Sequence, residues 1–445
     1  MHQIGLCFLL ASFCFEVPIR SALLTSTLTP APEQIHLSLG TDSSHLVVTW
    51  VTLVRTKSSF VSYSTNGYHG FVRGEQSLFI DGGEEKRTIF VHRATLNDLI
   101  PMKVYTYRCG NEYVWSRNFT FRILPADAKW QPRLVVLGDM GTQNNRALPE
   151  LIRQVLDDRY DMAIHDDGRN GDLFMRQIEP IASRIPYMTA VGNHEFAYNF
   201  SHYKARFSMP GGDGNAMFYS FNVGPAHIIV YSTEFYYNIY EGWRQPIRQY
   251  EWLRKDLQEA NTEESRAIRP WIITVAHRPM YCSNAVEAIN CANVDNFVRT
   301  GYPYMENGLK KYLLGLEELF YEQGVDLIIS AHMHSYERLW PVYNRTVCNA
   351  TGKNPYYNPP APVHIITGSA GSDEGVDPFI PGGFPWSAFR TDDYGFTRMN
   401  IWNHSHISIE QISVSEDPPA VIDSFTITSE THGANRFLCN RNGNS

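Results

Sequence analysis

Four apolar stretches of this chain each end in polar side chains of the kind that bind metal ions. The stretches are RLVVLG (133–138), YMTAVG (187–192), WIITVA (271–276) and VDLIISA (325–331). The residues that follow them are, in chain order, Asp139, then Asn193, His194 and Glu195, then His277, then His332 and His334. Open α/β sheets place their sites at the carboxyl ends of their strands. The pattern therefore predicts that these residues gather at one edge of an α/β fold.

The types of these side chains indicate which metals the site would take. Imidazole, carboxylate and amide oxygen suit iron, zinc and manganese. The sequence contains no Cys-x-x-Cys motif of the kind that forms structural zinc sites. Each motif alone has an ordinary structural explanation, since Gly138-Asp139 is a common turn and a single histidine is usually a hydrogen-bonded core or surface residue. His332-Met333-His334 is more specific, because both histidines lie on the same side of an extended segment. The prediction of a metal site therefore rests on the occurrence of all four motifs, each at the end of an apolar stretch.

Periodicity divides the chain into three regions. Residues 33–124 hold short strand-like runs separated by turn residues, which predicts a β-sandwich, and residues 125–132 read as a linker. From Arg133 strands alternate with helices, as in a layered α/β domain. We expect helices around Ile247–Ala260 and Leu309–Gln323, and then two strands beyond Pro359, VHIITGSAG and FTRMNIWNHSHISIEQIS.

The amino terminus predicts entry into the secretory pathway. Residues 4–15 form a short apolar run, with small residues nearby, so residues 1–22 read as a signal peptide. Five Asn-x-Ser/Thr glycosylation sequons agree with this, at Asn118, Asn199, Asn344, Asn349 and Asn403. The part after the leader keeps an odd number of cysteines, Cys109, Cys282, Cys291, Cys348 and Cys439, so at least one has no intramolecular partner. Cys282 and Cys291 are close enough in sequence to close a small loop.

Charge and hydropathy exclude two classes of partner. The net charge of -8 argues against a nucleic-acid-binding surface, which is normally basic. Beyond the leader, no stretch has the ~18 apolar residues of a membrane helix. We therefore expect a secreted or endolysosomal protein of two or three domains, with neither nucleic acid nor a membrane span among its partners.

The longer strings GNHEFAYNFSHYKARFSMPG, AHRPMYCS, AHMHSYERLWPVYN and VHIITGSAG resemble the purple acid phosphatases of the metallophosphoesterase superfamily, in their long, plant-like animal form. The resemblance covers nearly the whole chain after the leader. It implies a fibronectin-III-like domain over residues 33–124 and a catalytic domain over residues 132–340, a β-sandwich flanked by helices in αββα layers. Residues 361–425 would complete that catalytic domain.

The resemblance also implies a reaction and its residues. The family hydrolyses small phosphate monoesters to alcohol and phosphate with a dinuclear metal centre and a metal-bound hydroxide. By motif, Asp139 and His334 would hold a ferric ion, and Asn193, His277 and His332 a divalent iron, zinc or manganese ion. His194 would contact the substrate phosphate or assist the leaving group.

Two departures from the family pattern bear on this activity. Ala331 replaces the glycine of Gly-His-x-His, which we expect to be tolerated. After His165 the family has Gly-Asp-x-x-Tyr, whose aspartate bridges the metals and whose tyrosine binds the ferric ion. Here His165 is followed directly by Asp166 and Asp167, and about ten residues of the family pattern are missing. Asp166 or Asp167 is a candidate substitute carboxylate, or both are solvated loop residues.

Three other functions therefore stay open. A secreted glycoprotein of the same fold with impaired catalysis is the main alternative, because the bridging motif is missing. A phosphodiesterase or nucleotidase of the same superfamily is the nearest enzymatic rival. An adhesion module built on the first domain ranks lowest, since no charge run or apolar patch in the sequence supports it.

Overall fold

The computed structural model describes residues 29–42, 44–166, 171–239, 242–286, 291–348 and 354–439, with the backbone alone for residues 164–166. The predicted signal peptide, Asp167 and the Asn349 sequon lie outside these ranges.

The first domain is a β-sandwich of two four-stranded antiparallel sheets, as predicted. One sheet has the order β1-β2-β6-β5 and the other the order β4-β3-β7-β8. The strands are β1 (Glu33–Leu39), β2 (Leu46–Thr52), β3 (Phe60–Thr65), β4 (Tyr68–Arg73), β5 (Glu75–Ile80), β6 (Thr88–Leu96), β7 (Val104–Gly110) and β8 (Phe119–Arg122). Alternate residues of facing strands, among them Val48, Trp50, Tyr105 and Phe121, fill the space between the sheets.

The second domain begins with a six-stranded sheet whose parallel half comes from its first strands. These are β9 (Arg133–Gly138), β10 (Met162–Asp166) and β11 (Tyr187–Thr189). The other half comes from the end of the chain, β23 (Gly395–Ile401), β24 (His406–Ser413) and β25 (Ala420–Thr428). The order is β11-β10-β9-β23-β24-β25, and β23 pairs antiparallel with β9. The carboxyl-terminal strands thus complete a sheet that the first strands of this domain begin.

A seven-stranded mixed sheet packs against the first. Its members are β12 (Tyr219–Val223), β13 (Ala226–Val230), β14 (Trp271–Val275), β17 (Leu327–Ser330), β18 (Tyr336–Leu339), β21 (Val363–Thr367) and β22 (Ser387–Thr391). Strands β13, β14, β17 and β21 run parallel. Two small antiparallel pairs lie beside it, β15 (Gly301–Glu306) with β16 (Leu309–Leu314), and β19 (Val342–Tyr343) with β20 (Thr346–Val347).

Helices cover the outer faces of both sheets. They are α1 (Leu148–Leu156), α2 (Gly171–Ala182), α3 (Ala197–Arg206), α4 (Arg244–Ala260), α5 (Glu263–Ile268), α6 (Phe297–Thr300) and α7 (Leu316–Glu322). Along β9, Leu134 and Val136 face the other sheet, whereas Val135 and Leu137 pack in the core shared with the helices. Because both faces of such strands are buried, they read as continuous apolar runs. The layers are therefore α, β, β and α, as the fold prediction stated.

Two predicted elements are wrong in part. Leu309–Leu314 is a strand rather than the start of a helix, and only Leu316–Glu322 is helical. Its apolar residues have helical spacing, but Asn307 and Gly308, with φ of 53° and 77°, form a tight turn that pairs Glu306 with Leu309. Asn-Gly is the preferred sequence of such hairpin turns. The run FTRMNIWNHSHISIEQIS likewise forms two strands of a hairpin, β23 and β24.

Two disulfides join the described cysteines. Cys282 pairs with Cys291, as the short spacing suggested, and Cys348 pairs with Cys439 across a separation of 91 residues. Cys109 is a free thiol, buried in the first domain, which accounts for the odd count. Within the described ranges, no helix is long and apolar enough to cross a membrane.

The start of α2 is attached to both neighbouring parts of the molecule. The carboxylate of Asp172 accepts hydrogen bonds from Arg87 of the first domain and from Arg206 at the end of α3, the latter at 2.7 Å. Gln34 of β1 also donates to Asp172, at 3.2 Å. Asp172 therefore fixes the first turn of α2 against the β-sandwich.

Candidate metal centre

The predicted ligands lie where the two sheets of the second domain meet. Asp139 follows β9, His277 follows β14, and His332 follows β17 at the carboxyl ends of these strands. Asp139 and His332 have φ of 54° and 68°, in the left-handed region that non-glycine residues seldom adopt. Such backbone strain gathers at functional sites, where the surrounding structure enforces it.

Three of the predicted ligands present their donor atoms to one another. The Oδ1 of Asn193 is 2.6 Å from the Nε2 of His277, and that nitrogen is 3.0 Å from the Nδ1 of His332. Asn193 lies in a 3-10 turn, Asn193–Glu195, which is held because Glu195 Oε2 accepts a hydrogen bond from Gly192 N at 2.8 Å. One amide and two imidazoles thus converge on one point from three separate strand ends.

Asp139 and His334 lie on the other side of His277. The Oδ1 of Asp139 is 4.0 Å from the Nδ1 of His277 and 3.9 Å from the Nε2 of His334. All three side chains are largely buried. The five predicted ligands therefore form two adjoining sets, Asn193-His277-His332 and Asp139-His334.

The donor types and their convergence fit a pair of cations, with small shifts. Ligands of one tetrahedral zinc ion lie about 3.3 Å apart, since each Zn–N bond is about 2.0–2.1 Å. The 2.6 and 3.0 Å spacings are hydrogen-bond distances, so these two distances have to lengthen by about 0.7 and 0.3 Å for the trio to hold a cation. In the described part of the chain, no three His, Cys, Asp or Glu side chains already form a metal-holding group. The reason is that one member of the trio is an amide, and that Asp139 lies about 4 Å from His277 and His334.

Burial determines the protonation state of His277. The pKa of His277 is lowered from 6.5 to about 3, mainly by desolvation; the nearby Glu234 raises it, and the smaller effects of Arg278, His194 and His334 lower it. The imidazole is therefore neutral even in acid, which is the form that binds a metal ion.

His194 lines a cavity between the two domains. This cavity has a volume of about 890 Å³ and is lined by both domains, with Asp81 and Arg87 on one side and His194 and Arg206 on the other. His194 is partly exposed, next in sequence to Asn193. It thus connects the converging ligands with an open space large enough for a small substrate.

The structure adds residues that the sequence did not single out. Arg278 donates from Nη1 to the Nε2 of His332 at 2.9 Å and from Nε to the Oε1 of Glu234 at 2.8 Å. Asp377 accepts from the backbone N–H of His334 at 2.8 Å. No sequence motif marks Arg278 and Glu234 as functional residues, because Arg278 merely follows His277 and Glu234 merely follows the apolar strand HIIVYST.

Other predicted residues are placed only in part. The backbone of Asp166 pairs with Gly138, which puts it at the same sheet edge as Asp139, but its side chain lies outside the described part. Asp172 lies in the first turn of α2. Of the sequon asparagines, Asn118, Asn344 and Asn403 are exposed and Asn199 is half-buried.

Comparison with known proteins assigns the family. Residues 32–123 match the purple acid phosphatase N-terminal domain, residues 132–336 the calcineurin-like phosphoesterases, and residues 361–424 the iron/zinc purple acid phosphatase-like protein C. The chain is 47% identical to acid phosphatase type 7 of Homo sapiens over 409 residues, covering 89% of this chain and 91% of that protein. It is 47% identical to acid phosphatase type 7 of Danio rerio, covering 90% and 92%.

A solved structure gives the same assignment. The purple acid phosphatase PPD1 from yellow lupin seeds (Lupinus luteus) superposes with a TM-score of 0.73 at 26% identity, covering 90% of this chain and 75% of that one. The fold and the matched domains define a metallophosphoesterase with a sandwich domain in front. The chain belongs to the purple acid phosphatase family, whose members have a dinuclear metal centre.

Proposed function

We propose that this chain is an acid phosphatase, which hydrolyses small phosphate monoesters to an alcohol and phosphate. The observation that carries the proposal is the convergence of Asn193, His277 and His332 at three strand ends, where the His277 Nε2 lies 2.6 Å from the Asn193 Oδ1 and 3.0 Å from the His332 Nδ1. The family and the two type 7 relatives support it.

The two sets of side chains suggest which ion each would hold. Asn193, His277 and His332 offer one oxygen and two nitrogens, a set suited to divalent zinc, manganese or iron. Asp139 and His334 would hold the ferric ion, for which the carboxylate supplies charge. A two-cation centre polarises the phosphoryl oxygens and acidifies a water nucleophile.

His194 is the candidate for proton transfer. It is partly exposed, borders the large cavity and is adjacent to the converging trio. From there it would donate a hydrogen bond to a phosphoryl oxygen or a proton to the departing alcohol.

The bridging charge is the weak point of the proposed site. The sequence lacks the Gly-Asp-x-x-Tyr segment after His165. Two cations need a carboxylate between them to offset their repulsion. Asp166 is our candidate, because its backbone pairs with Gly138, next to Asp139. If it does not serve, the chain is a glycoprotein of this fold with impaired catalysis, the alternative function.

One experiment separates these two functions. The purified chain is analysed for iron, zinc and manganese and assayed for phosphate release from 4-nitrophenyl phosphate at acidic pH. Bound metal with turnover supports the phosphatase, and stoichiometric metal without turnover contradicts it. A folded chain that retains no metal favours the alternative.

A matched pair of variants ties that result to the site. His332→Ala removes a member of the converging trio and should lower the metal content and the turnover together. His227→Ala removes a histidine that pairs with Asp256 of α4, and should leave both unchanged.

The location that we propose is outside the cell or in an endolysosomal compartment. Two disulfides and three exposed sequon asparagines support it, since disulfides persist in oxidising compartments. Expression in animal cells, followed by glycosidase treatment of the medium and the lysate, tests this. A secreted or lysosomal protein that shifts in mass is expected, and an unglycosylated cytosolic protein would contradict it.

A further inference from the structure

We propose that Arg278 binds the phosphoryl group of the substrate, and that Glu234 and Tyr237 position its guanidinium for this task. The inference rests on the proposed function and adds a specificity residue that the ligand motifs do not include.

Arg278 is fixed at the centre of the site. Its backbone N–H donates to the Oγ1 of Thr233 at 2.9 Å, and its Nε donates to the Oε1 of Glu234 at 2.8 Å. Its guanidinium carbon lies 4.4 Å from the ring centre of Tyr237. A guanidinium held between a carboxylate and an aromatic face has little freedom to reorient.

The opposite end of the guanidinium reaches the proposed ligands. Nη1 is 2.9 Å from the Nε2 of His332, whose Nδ1 belongs to the converging trio. Among the described residues, the side-chain hydrogen bonds of Arg278 come from Nε and Nη1 and none from Nη2, and the side chain is 15% exposed. One pair of N–H donors beside the trio is therefore available to an incoming ligand.

Glu234 is the buried carboxylate partner of Arg278. Its side chain is fully buried, and within the described part of the chain its Oε2 accepts no hydrogen bond. A buried carboxylate costs free energy unless it is paired, so its presence needs the cation of Arg278. The pair keeps an arginine charge next to the metal ligands without adding net charge to the site.

The chemistry selects a phosphate oxygen as the ligand. A guanidinium offers parallel N–H donors that match the oxygens of a phosphoryl group, and such charge-assisted hydrogen bonds are strong. The two open donors of Nη2 suit a phosphate monoester dianion, which carries more charge per phosphorus than a diester. Arg278 thus favours monoesters over diesters at this site.

The test compares Arg278→Ala, Arg278→Lys and Glu234→Gln with the unaltered chain. We measure KM and kcat for 4-nitrophenyl phosphate, binding of inorganic phosphate by calorimetry, and metal content. Arg278→Ala should raise KM and weaken phosphate binding by about tenfold or more, the effect of a lost charge-assisted hydrogen bond, with metal content retained. Arg278→Lys should recover part of the loss, and Glu234→Gln should shift KM in the same direction by less.

The control is Arg338→Ala. Arg338 has similar surroundings, because it pairs with Asp423 at 2.8 and 2.9 Å and lies 5.2 Å from the Tyr356 ring, and these partners include none of the predicted ligands. This variant should lose stability and keep its KM.

The outcomes distinguish the two proposals. Unchanged phosphate binding and KM in Arg278→Ala overturn the inference and leave the phosphatase intact. Loss of metal in that variant also overturns it, since Arg278 would then only support His332. If the unaltered chain shows no turnover, the proposed function fails, and the phosphate titration alone decides on Arg278; no binding overturns the inference as well.

Discussion

His332 donates its backbone N–H to the Oδ2 of Asp139 at 2.7 Å, across 193 positions of sequence. Both residues have left-handed backbone. The bond ties the loop after β9 to the loop after β17, one from each sheet. It also orients the Asp139 carboxylate, because one of its oxygens is already committed to the backbone and the other is turned toward His277 and His334.

Gly368 leaves room for that carboxylate, and we predict that Gly368→Ala displaces it. A Cβ at this position would lie 2.4 Å from the Asp139 Oδ2 and 2.1 Å from the Met333 carbonyl oxygen. Overpacking of this kind costs about 1–3 kcal/mol. Metal content and turnover should fall in this variant, as measured by elemental analysis and phosphatase assay. Gly83→Ala is the control, since its nearest neighbour would be at an ordinary 3.4 Å; equal behaviour of the two variants would contradict the prediction.

The side-chain positions of Gly138 and Ala331 face each other, and we predict that Ala331→Gly compensates for Gly138→Ala. A Cβ on Gly138 would lie 2.3 Å from the Cβ of Ala331, so Gly138→Ala should lower the melting temperature clearly. Ala331→Gly alone should have a small effect. The double variant should recover much of the loss, as a double-mutant cycle measures. Strict additivity would show that the two positions do not interact.

The longer disulfide should contribute more to stability than the shorter one. Cys348–Cys439 spans 91 residues and Cys282–Cys291 spans 9. Loop-closure entropy assigns about 4.5 kcal/mol to the first and about 2.5 kcal/mol to the second. Thermal unfolding of Cys348→Ser/Cys439→Ser and Cys282→Ser/Cys291→Ser checks this. A larger loss from the second pair would contradict the chain-entropy argument here.

Acid should weaken the first domain through His92. This histidine is buried against Trp50, with its ring nitrogens bonded to Thr52 and Ser59, and burial lowers its pKa from 6.5 to about 4. Between pH 6.5 and pH 4, His92 is protonated in the unfolded chain but stays neutral in the folded chain. The free energy of unfolding therefore falls as the pH falls from 6.5 toward 4. At pH 5 the loss is about 2 kcal/mol.

Thermal unfolding at pH 7 and pH 5 measures this effect. His92→Gln should be less stable than the unaltered chain at pH 7 but should lose less between pH 7 and pH 5. His69→Gln, at an exposed position, is the control and should keep the full pH dependence. An unchanged slope in His92→Gln would exclude this histidine as the cause.

The layers and the positions of the predicted ligands follow from the sequence because they depend on local patterns. Apolar runs such as WIITVA, buried on both faces, can only be central strands, and their ends fix His277 and its neighbours at one edge. The hairpin at Asn307-Gly308 was also readable, but helical spacing of leucines on an exposed strand outweighed the turn signal in our prediction.

Arg278 could not be assigned from sequence for a different reason. Its contacts with Glu234 and His332 join residues 44 and 54 positions apart, from three strand ends. The local pattern of apolar residues cannot predict these contacts, because they depend on how β13, β14 and β17 pair in the sheet. The disulfide between Cys348 and Cys439 is a similar case, because only the packed carboxyl terminus brings the two cysteines together.

The contacts of Asp172 have a consequence for engineering. The backbone of β10 is held in register with β9 up to Asp166, and α2 is held from its first turn by Arg87 and Arg206. Only four residues separate Asp166 from Gly171. Both ends of this connection are therefore fixed independently of its length. A segment of about ten residues inserted there should leave both domains folded, so this junction is a natural graft point for a complete metal-binding loop.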